Sequence, residues 1–238
     1  MKKLLILVIG LSLILISNSI KAASVGGKQP EQGKFKIGFE YNLITEKDLT
    51  GSPPISGGIK LTESNQYLAK IEYGILSSDI YKWSGFVKLG AADRESETAD
   101  VKYPFNEEFA YGIGSKFNYN FDLCTLGIEA QYFFLEDTSM TKSGSIYSFE
   151  DWKEWQISLF AMKDFEFENF ILTPYLGIKY SDLKADGKGG SWEGDIEADE
   201  NFGVFLGLDL GLTENISLNL EGRFIDEEAF TVGLSYNF

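Results

Sequence analysis

The sequence predicts an all-β protein: a single antiparallel up-and-down transmembrane β-barrel of about ten strands, with eight as the alternative count. Three observations predict it. Apolar and polar residues alternate with a period of two along most of the chain. The segments joining the alternating runs are by turns short and long. Aromatic residues gather at the ends of the runs, with aliphatic residues between them.

The N-terminus has the form of a secretory signal peptide. Lys2 and Lys3 give a basic start, Leu4 to Ile16 form an apolar run, and the small residues Ala22, Ala23 and Ser24 follow. The run is shorter than the roughly 20 apolar residues of a membrane-crossing helix. Cleavage is expected near Ala22 or Ala23. Residues 1–23 are set aside, 24–32 are read as a loose periplasmic lead-in, and 33–238 as the barrel.

The strands follow in order. Phe35, Ile37, Phe39, Tyr41 and Leu43 alternate with Lys36, Gly38, Glu40 and Asn42. Tyr67, Ala69, Ile71, Tyr73 and Ile75 enclose Lys70, Glu72 and Gly74. Tyr81, Trp83, Val87 and Leu89 enclose Lys82, Ser84 and Lys88. The same pattern returns at Phe109–Phe117, Leu126–Phe134, Trp155–Ala161 and Phe170–Tyr180. It is clearest at Phe202–Leu210, Ile216–Phe224 and Phe230–Phe238. Short connectors fall at Ser77–Asp79, Asn120–Asp122, Asp164–Asn169 and Thr213–Asn215, and the last connector, Asp226–Glu228, breaks the alternation by being short as well. Long ones fall at Lys47–Asn65, Asp93–Glu107, Glu136–Asp151 and Asp182–Glu200. Such barrels have tight periplasmic turns and longer external loops, which places the long connectors outside.

Alternation alone does not say which face points outward, since a soluble ligand-binding barrel has the same period. The sorting of side chains by height decides it. Tyr41, Tyr67, Phe109, Tyr132, Trp155 and Tyr180 fall near the long connectors, and Phe35, Tyr81, Trp83, Phe117 and Phe170 near the short ones. Two aromatic girdles around an aliphatic band are the mark of a lipid-facing wall. The other face carries glycines and charges of both signs: Lys36, Glu40, Lys70, Glu72, Lys82, Lys88, Lys116, Glu129, Lys179, Asp209, Glu221 and Arg223. These are read as a self-neutralising lumen network. Glu40, Glu72, Glu129 and Glu221 are expected to pair with Lys70, Lys82, Lys116 and Arg223, because buried charges must be compensated.

Tyr111–Tyr119, Thr173–Tyr180 and the ending Phe230–Phe238 carry a resemblance to the OmpA-like family of small outer-membrane β-barrel proteins, over about Gly33 to Phe238. The resemblance implies an outer-membrane address in a Gram-negative cell envelope. It also implies that Tyr236 and the terminal Phe238 are read by the barrel-assembly machinery. Pro174 removes one ladder donor, and a local bulge is expected there. The family covers many roles and implies no single activity.

Composition narrows the chemistry. The net charge is −15, and −18 once Lys2, Lys3 and Lys21 leave with the signal. That argues against nucleic acid as a partner. Cys124 is the single cysteine and histidine is absent. Ser–His and Cys–His catalysis and the usual zinc sites are therefore excluded. No cofactor and no metal is expected. Asp195, Glu197 and Asp199 recur every second residue and are read as a solvated acidic loop rather than a calcium site. Gly187–Gly190 lacks the Gly-Lys-Ser/Thr ending of a phosphate loop. Trp152 and Trp155 are assigned to the outer aromatic belt, and Trp192 to an outer loop. The expected partners are outer-membrane lipid and the assembly machinery, with an extracellular partner that the sequence does not identify. The expected role is non-enzymatic, structural or adhesive. The alternative is a narrow pore, and a hydrolase using Glu129 or Glu221 ranks last.

Overall fold

The computed structural model describes residues 27–51, 59–98, 101–142, 145–189 and 192–238, so the expected signal peptide lies outside the described residues. Among these residues there is no helix, and thirteen strands form one antiparallel sheet. They are β1 (Phe35–Gly51), β2 (Ile59–Ser77), β3 (Tyr81–Thr98), β4 (Val101–Asn120), β5 (Thr125–Leu135), β6 (Thr138–Lys142) and β7 (Ser145–Met162). Next come β8 (Phe165–Phe167), β9 (Phe170–Gly189), β10 (Trp192–Ala198), β11 (Phe202–Gly211), β12 (Ile216–Phe224) and β13 (Glu228–Asn237).

Ten strands close the barrel, in the order β1-β2-β3-β4-β5-β7-β9-β11-β12-β13 and back to β1. Closure runs from Lys36 opposite Asn237 to Leu43 opposite Phe230. The short strands β6, β8 and β10 are extra. Pro174 sits in unbroken register opposite Leu208, so the bulge expected there is absent. The missing donor is harmless because β7 is ending. Its last residues leave the Pro174 carbonyl to accept from the Lys163 amide at 3.2 Å.

A membrane-crossing strand needs about 9–11 residues. β5, β11, β12 and β13 match, with 11, 10, 9 and 10 residues. β1, β2, β3, β4, β7 and β9 run to 17, 19, 18, 20, 18 and 20. The segments expected to be long loops are therefore mostly extensions of these strands into paired ribbons. Two features hid them. Bulges shift the register between Ile44 and Glu46, Leu61 and Glu63, Ala92 and Arg94, and Glu150 and Lys153. Each breaks the period of two, because a single extra residue moves all later side chains to the opposite face. The polarity also inverts. Beyond the bulges apolar residues such as Leu49 and Leu61 point inward and most charged ones outward, with Lys47, Arg94 and Glu108 the buried exceptions.

Near this outer end the barrel narrows. β11, β12 and β13 stop, and β10 takes their place between β9 and β1, with Leu49 opposite Ala198. Strands β1, β2, β3, β4, β6, β7, β9 and β10 surround an apolar centre. It is made of Leu49, Leu61, Leu68, Phe105, Trp152, Leu183 and Ile196, all buried. The closed barrel therefore has ten strands, not the alternative eight.

A filled lumen sealed at both ends

In the membrane section the apolar parity faces outward. Phe39, Ile71, Val87, Ile113, Ile128, Leu159 and Leu206 are exposed along the wall. Aromatic pairs mark the two rims. At the outer rim the tilted rings of Tyr41 and Tyr67 have centroids 5.1 Å apart, and those of Trp155 and Tyr180 5.4 Å apart. At the inner rim Phe35 meets Tyr73 at 4.8 Å and Tyr236 meets Phe238 at 4.8 Å. An apolar belt this continuous is stable only against hydrocarbon. A closed barrel is also how strands satisfy every backbone group there.

The inward parity holds the charges. Lys88 lies 3.1 Å from Glu40, and Lys70 stands between Glu40 at 3.8 Å and Glu72 at 3.9 Å. Lys116 meets Glu129 at 3.2 Å. Arg223 Nε donates to Glu221 at 2.9 Å, and the Tyr175 hydroxyl donates to Glu221 at 2.9 Å. Glu40, Lys70, Glu72, Lys116, Glu129, Asp209, Glu221 and Arg223 are all buried. Lys36 is half-buried and donates to the Lys28 carbonyl at 2.7 Å. Lys82 does not join the lumen carboxylates. It stands at the inner mouth and pairs with Glu31, because residue 82 opens β3.

The lumen is less polar than its glycines suggest. Phe86, Phe160, Tyr175 and Phe205 also point inward and are buried. Their rings lie against Gly114, Gly127, Gly207 and Gly177, so a β-carbon at any of these glycines would strike a ring. Glycine there makes room for aromatic filling of the centre.

The lead-in is a plug, not a loose tail. Gln29 is buried, and its amide nitrogen donates to Ser84 Oγ at 2.7 Å and to the Lys116 carbonyl at 2.8 Å. The Lys28 amide donates to Asp209 at 3.0 Å. Glu31 accepts from Ser77 at 2.8 Å as well as from Lys82. Those bonds hold the Glu31 carboxyl below its ordinary value, the Lys82 bond contributing most. Gly33 takes a positive φ of 76° at the turn into β1, a conformation open to glycine.

At the outer end a second knot sits under the apolar cap. The β12–β13 turn passes through Ile225 at φ 87° and aims Asp226 and Glu227 inward. Lys179 lies 2.7 Å from Asp226 and bonds Glu227. Glu227 also meets Arg223 at 3.3 Å and Lys47 at 3.5 Å, and Lys47 reaches Glu154 at 2.8 Å. Burial raises the Asp226 carboxyl above its ordinary value. Burial pulls Glu227 the same way, but Lys179, Lys47 and Arg223 together outweigh it and hold that carboxyl low. Lys47, Asp226 and Glu227 were hidden in segments that read as connectors. Above them Arg94 pairs with Glu108 and lies over the Trp152 ring at 4.3 Å. Trp152 is thus inside the cap, not in the interfacial belt. The Trp155 ring does face the rim, where its Nε1 donates to Asp182 at 3.0 Å. The ring of Trp192 lies outside the described residues.

Asp195 and Glu197 point outward from β10, where Glu197 lies 3.6 Å from Lys184. Asp199 accepts from Thr50 at 2.9 Å. Among the described residues no group of acidic or sulfur ligands is placed to hold a metal ion. Two cavities in the lumen, one beside Lys36, Glu40 and Asp209 and one beside Gln66, Gln156 and Arg223, each measure about 30 Å³. Each has room for about a water molecule.

These features define an integral outer-membrane β-barrel protein. No protein-family model matches the chain, and no curated protein matches its sequence. Solved structures share its general shape. The translocator domain of the autotransporter NalP from Neisseria meningitidis is similar over 90% of both chains, at 11% identity and a TM-score of 0.48. The transport unit of the autotransporter AIDA-I from Escherichia coli matches over 90% of this chain and 93% of its own, at 9% identity and a TM-score of 0.47. The outer-membrane protein OprG from Pseudomonas aeruginosa matches over 88% and 98%, at 10% identity and a TM-score of 0.47. These likenesses carry no statement about activity.

Proposed function

We propose that this is a non-enzymatic, non-conducting barrel of the OmpA-like kind. In this reading it anchors a rigid acidic cap outside the membrane for a structural or adhesive role. The observation that carries the reading is the filling of the lumen at every level. The Gly27–Gln32 plug closes the inner mouth, ion pairs and aromatic rings fill the middle, and Leu49, Leu61, Leu183 and Ile196 close the top. Among the described residues, the two lumen cavities of about 30 Å³ each hold about a water molecule, too little for a hydrated ion. The same filling argues against a hydrolase. Glu129 is held by Lys116, and Glu221 by Arg223 and Tyr175, with no approach for a substrate. The outward face of the cap carries more acids than bases: Lys60 pairs with Glu46 and Asp48, Lys184 with Glu197 and Lys188 with Glu193, while Glu63 and Glu97 add further negative charge. Tyr236 and Phe238, at the closing seam where the Phe238 amide donates to Phe35 at 2.9 Å, are proposed as the residues read during assembly. Planar-bilayer recording of the refolded protein tests the main claim. Silent bilayers are expected despite confirmed insertion, and steady single-channel currents would establish the pore instead.

A further inference from the structure

We infer that a groove on the lipid-facing wall, crossing β5, β7, β9 and β11, is a binding site for one acyl chain of a membrane lipid. The sequence builds it by omission. Side chains that share one row across the wall are Leu126, Ala161, Leu176, Leu206 and Gly222, each opposite the next in register. The adjoining outer row holds large residues throughout its matching part: Leu159, Ile178, Val204 and Phe224. Ala161 leaves the first row low, while Leu176 and Leu206 stand proud at 66% and 56% exposure. The Phe224 ring leans toward Gly222 and closes that end.

The resulting groove is open to the lipid side, measures about 600 Å³ and is lined by apolar residues only. Its floor does not yield. Behind it Phe160 and Phe205 pack from the lumen against the glycine backbone at Gly127 and Gly177. A preformed groove spares the ordering cost that weakens binding to soft surfaces.

The occupant follows from the setting. The groove offers no hydrogen-bonding side chain, so a polar headgroup has nothing to hold there. It is continuous with the exposed apolar band, whose surroundings are hydrocarbon. It is concave on a convex wall, so a second copy of the chain would rest on the rims at Leu176 and Leu206 and leave the floor empty. A flexible hydrocarbon chain reaches the floor.

The test is native mass spectrometry of the barrel released from nanodiscs of phosphatidylethanolamine and phosphatidylglycerol. The unaltered chain should carry one retained lipid. Ala161→Phe fills the groove and should lower the lipid-bound fraction about tenfold. Ala130→Phe, on the same outward face but outside the groove, should leave it unchanged. Val204→Trp, at a lining residue near the other end, fills the groove there and serves if Ala161→Phe fails to give the heat-modifiable folded band. No retained lipid on the unaltered chain, equal retention after Ala161→Phe or Val204→Trp, or a dimer that these substitutions dissociate would each overturn the assignment.

Discussion

Replacing Lys179 with Met removes one cation from the most heavily charged part of the lumen. The ammonium is fully buried, 2.7 Å from Asp226 and bonded to Glu227. Met keeps most of the volume, so the loss is electrostatic rather than a cavity. Breaking a buried pair on one side leaves an uncompensated charge and costs about 3–5 kcal/mol. The lower figure applies here, about 3 kcal/mol, because Lys47 and Arg223 still face Glu227 at 3.5 and 3.3 Å. Asp226 keeps a hydrogen bond from the Ser181 hydroxyl at 3.2 Å and the more distant charge of Lys47. The pH dependence has a definite sign. Burial already raises the Asp226 carboxyl, and losing Lys179 raises it further. The unfolded carboxyl titrates near about 3.9, so between that value and the raised one the folded state binds more protons. Stability of the variant therefore falls as pH rises through that window, and the defect is smaller at low pH. Adding Asp226→Asn removes one charge of the opposite sign and should restore more than half of the loss. Urea unfolding of the barrel refolded in phospholipid vesicles, followed by tryptophan fluorescence and extrapolated linearly, measures each term. A change within about 0.5 kcal/mol for Lys179→Met, or a double variant as unstable as the single one, would refute the reasoning.

Three further outcomes are expected. Gly127→Ala should destabilise by about 1–3 kcal/mol in the same assay, because the added carbon meets the Phe160 ring. Phe160→Leu in the same chain should recover part of it, and an additive double variant would contradict the ring-on-glycine packing. For the plug, the Glu31 carboxyl is held below its ordinary value chiefly by the Lys82 bond, so the unfolded state binds more protons in the interval between. Its stabilisation is whole above the unfolded value of about 4.3 and fades as pH falls through the folded value. Glu31→Gln should show the same loosening at neutral pH, read as faster amide exchange at Gly33 and Gly74, whose amides donate across the plug at 2.9 and 3.0 Å. Phe238→Ala should lower the fraction of chain that reaches the heat-modifiable form in cells while leaving in vitro unfolding nearly unchanged. Normal assembly would show that Phe238 is only a rim aromatic.

The membrane section was legible because one rule governs it. In β4, Phe109, Tyr111, Ile113 and Phe117 face lipid while Gly112, Lys116 and Asn118 face the lumen, and nothing interrupts the period. The cap was not legible because its rule is the reverse. Leu49, Leu61 and Leu183 point inward there; bulges beside Leu49 and Leu61 erase the phase that links the two sections, while Leu183 keeps the phase of Lys179 and Ser181 and only the polarity changes. A run such as Lys47–Asn65 then reads as polar loop. The signal that remained was the isolated buried-type residues Leu49 and Leu61, too sparse to stand out among acidic neighbours. Glycine misled in another way. Gly114, Gly127 and Gly177 suggested space, whereas rings from neighbouring strands fill it. Those contacts join residues far apart in sequence, and no local pattern records them. The inner plug was missed for the same reason, since Gln29 finds its partners at Ser84 and Lys116.

Nitroxide scanning along β4 tests the shared basis of these statements. After Cys124→Ala, single cysteines placed in turn from Ala110 to Asn118 carry the label in a reconstituted bilayer. Labels at Tyr111, Ile113 and Phe117 should collide freely with oxygen and little with a water-soluble nickel reagent, while those at Gly112, Lys116 and Asn118 meet neither. Protection at Ile113 together with strong nickel contact at Lys116 would place the charges around the outside and the apolar side chains within, and would contradict the account.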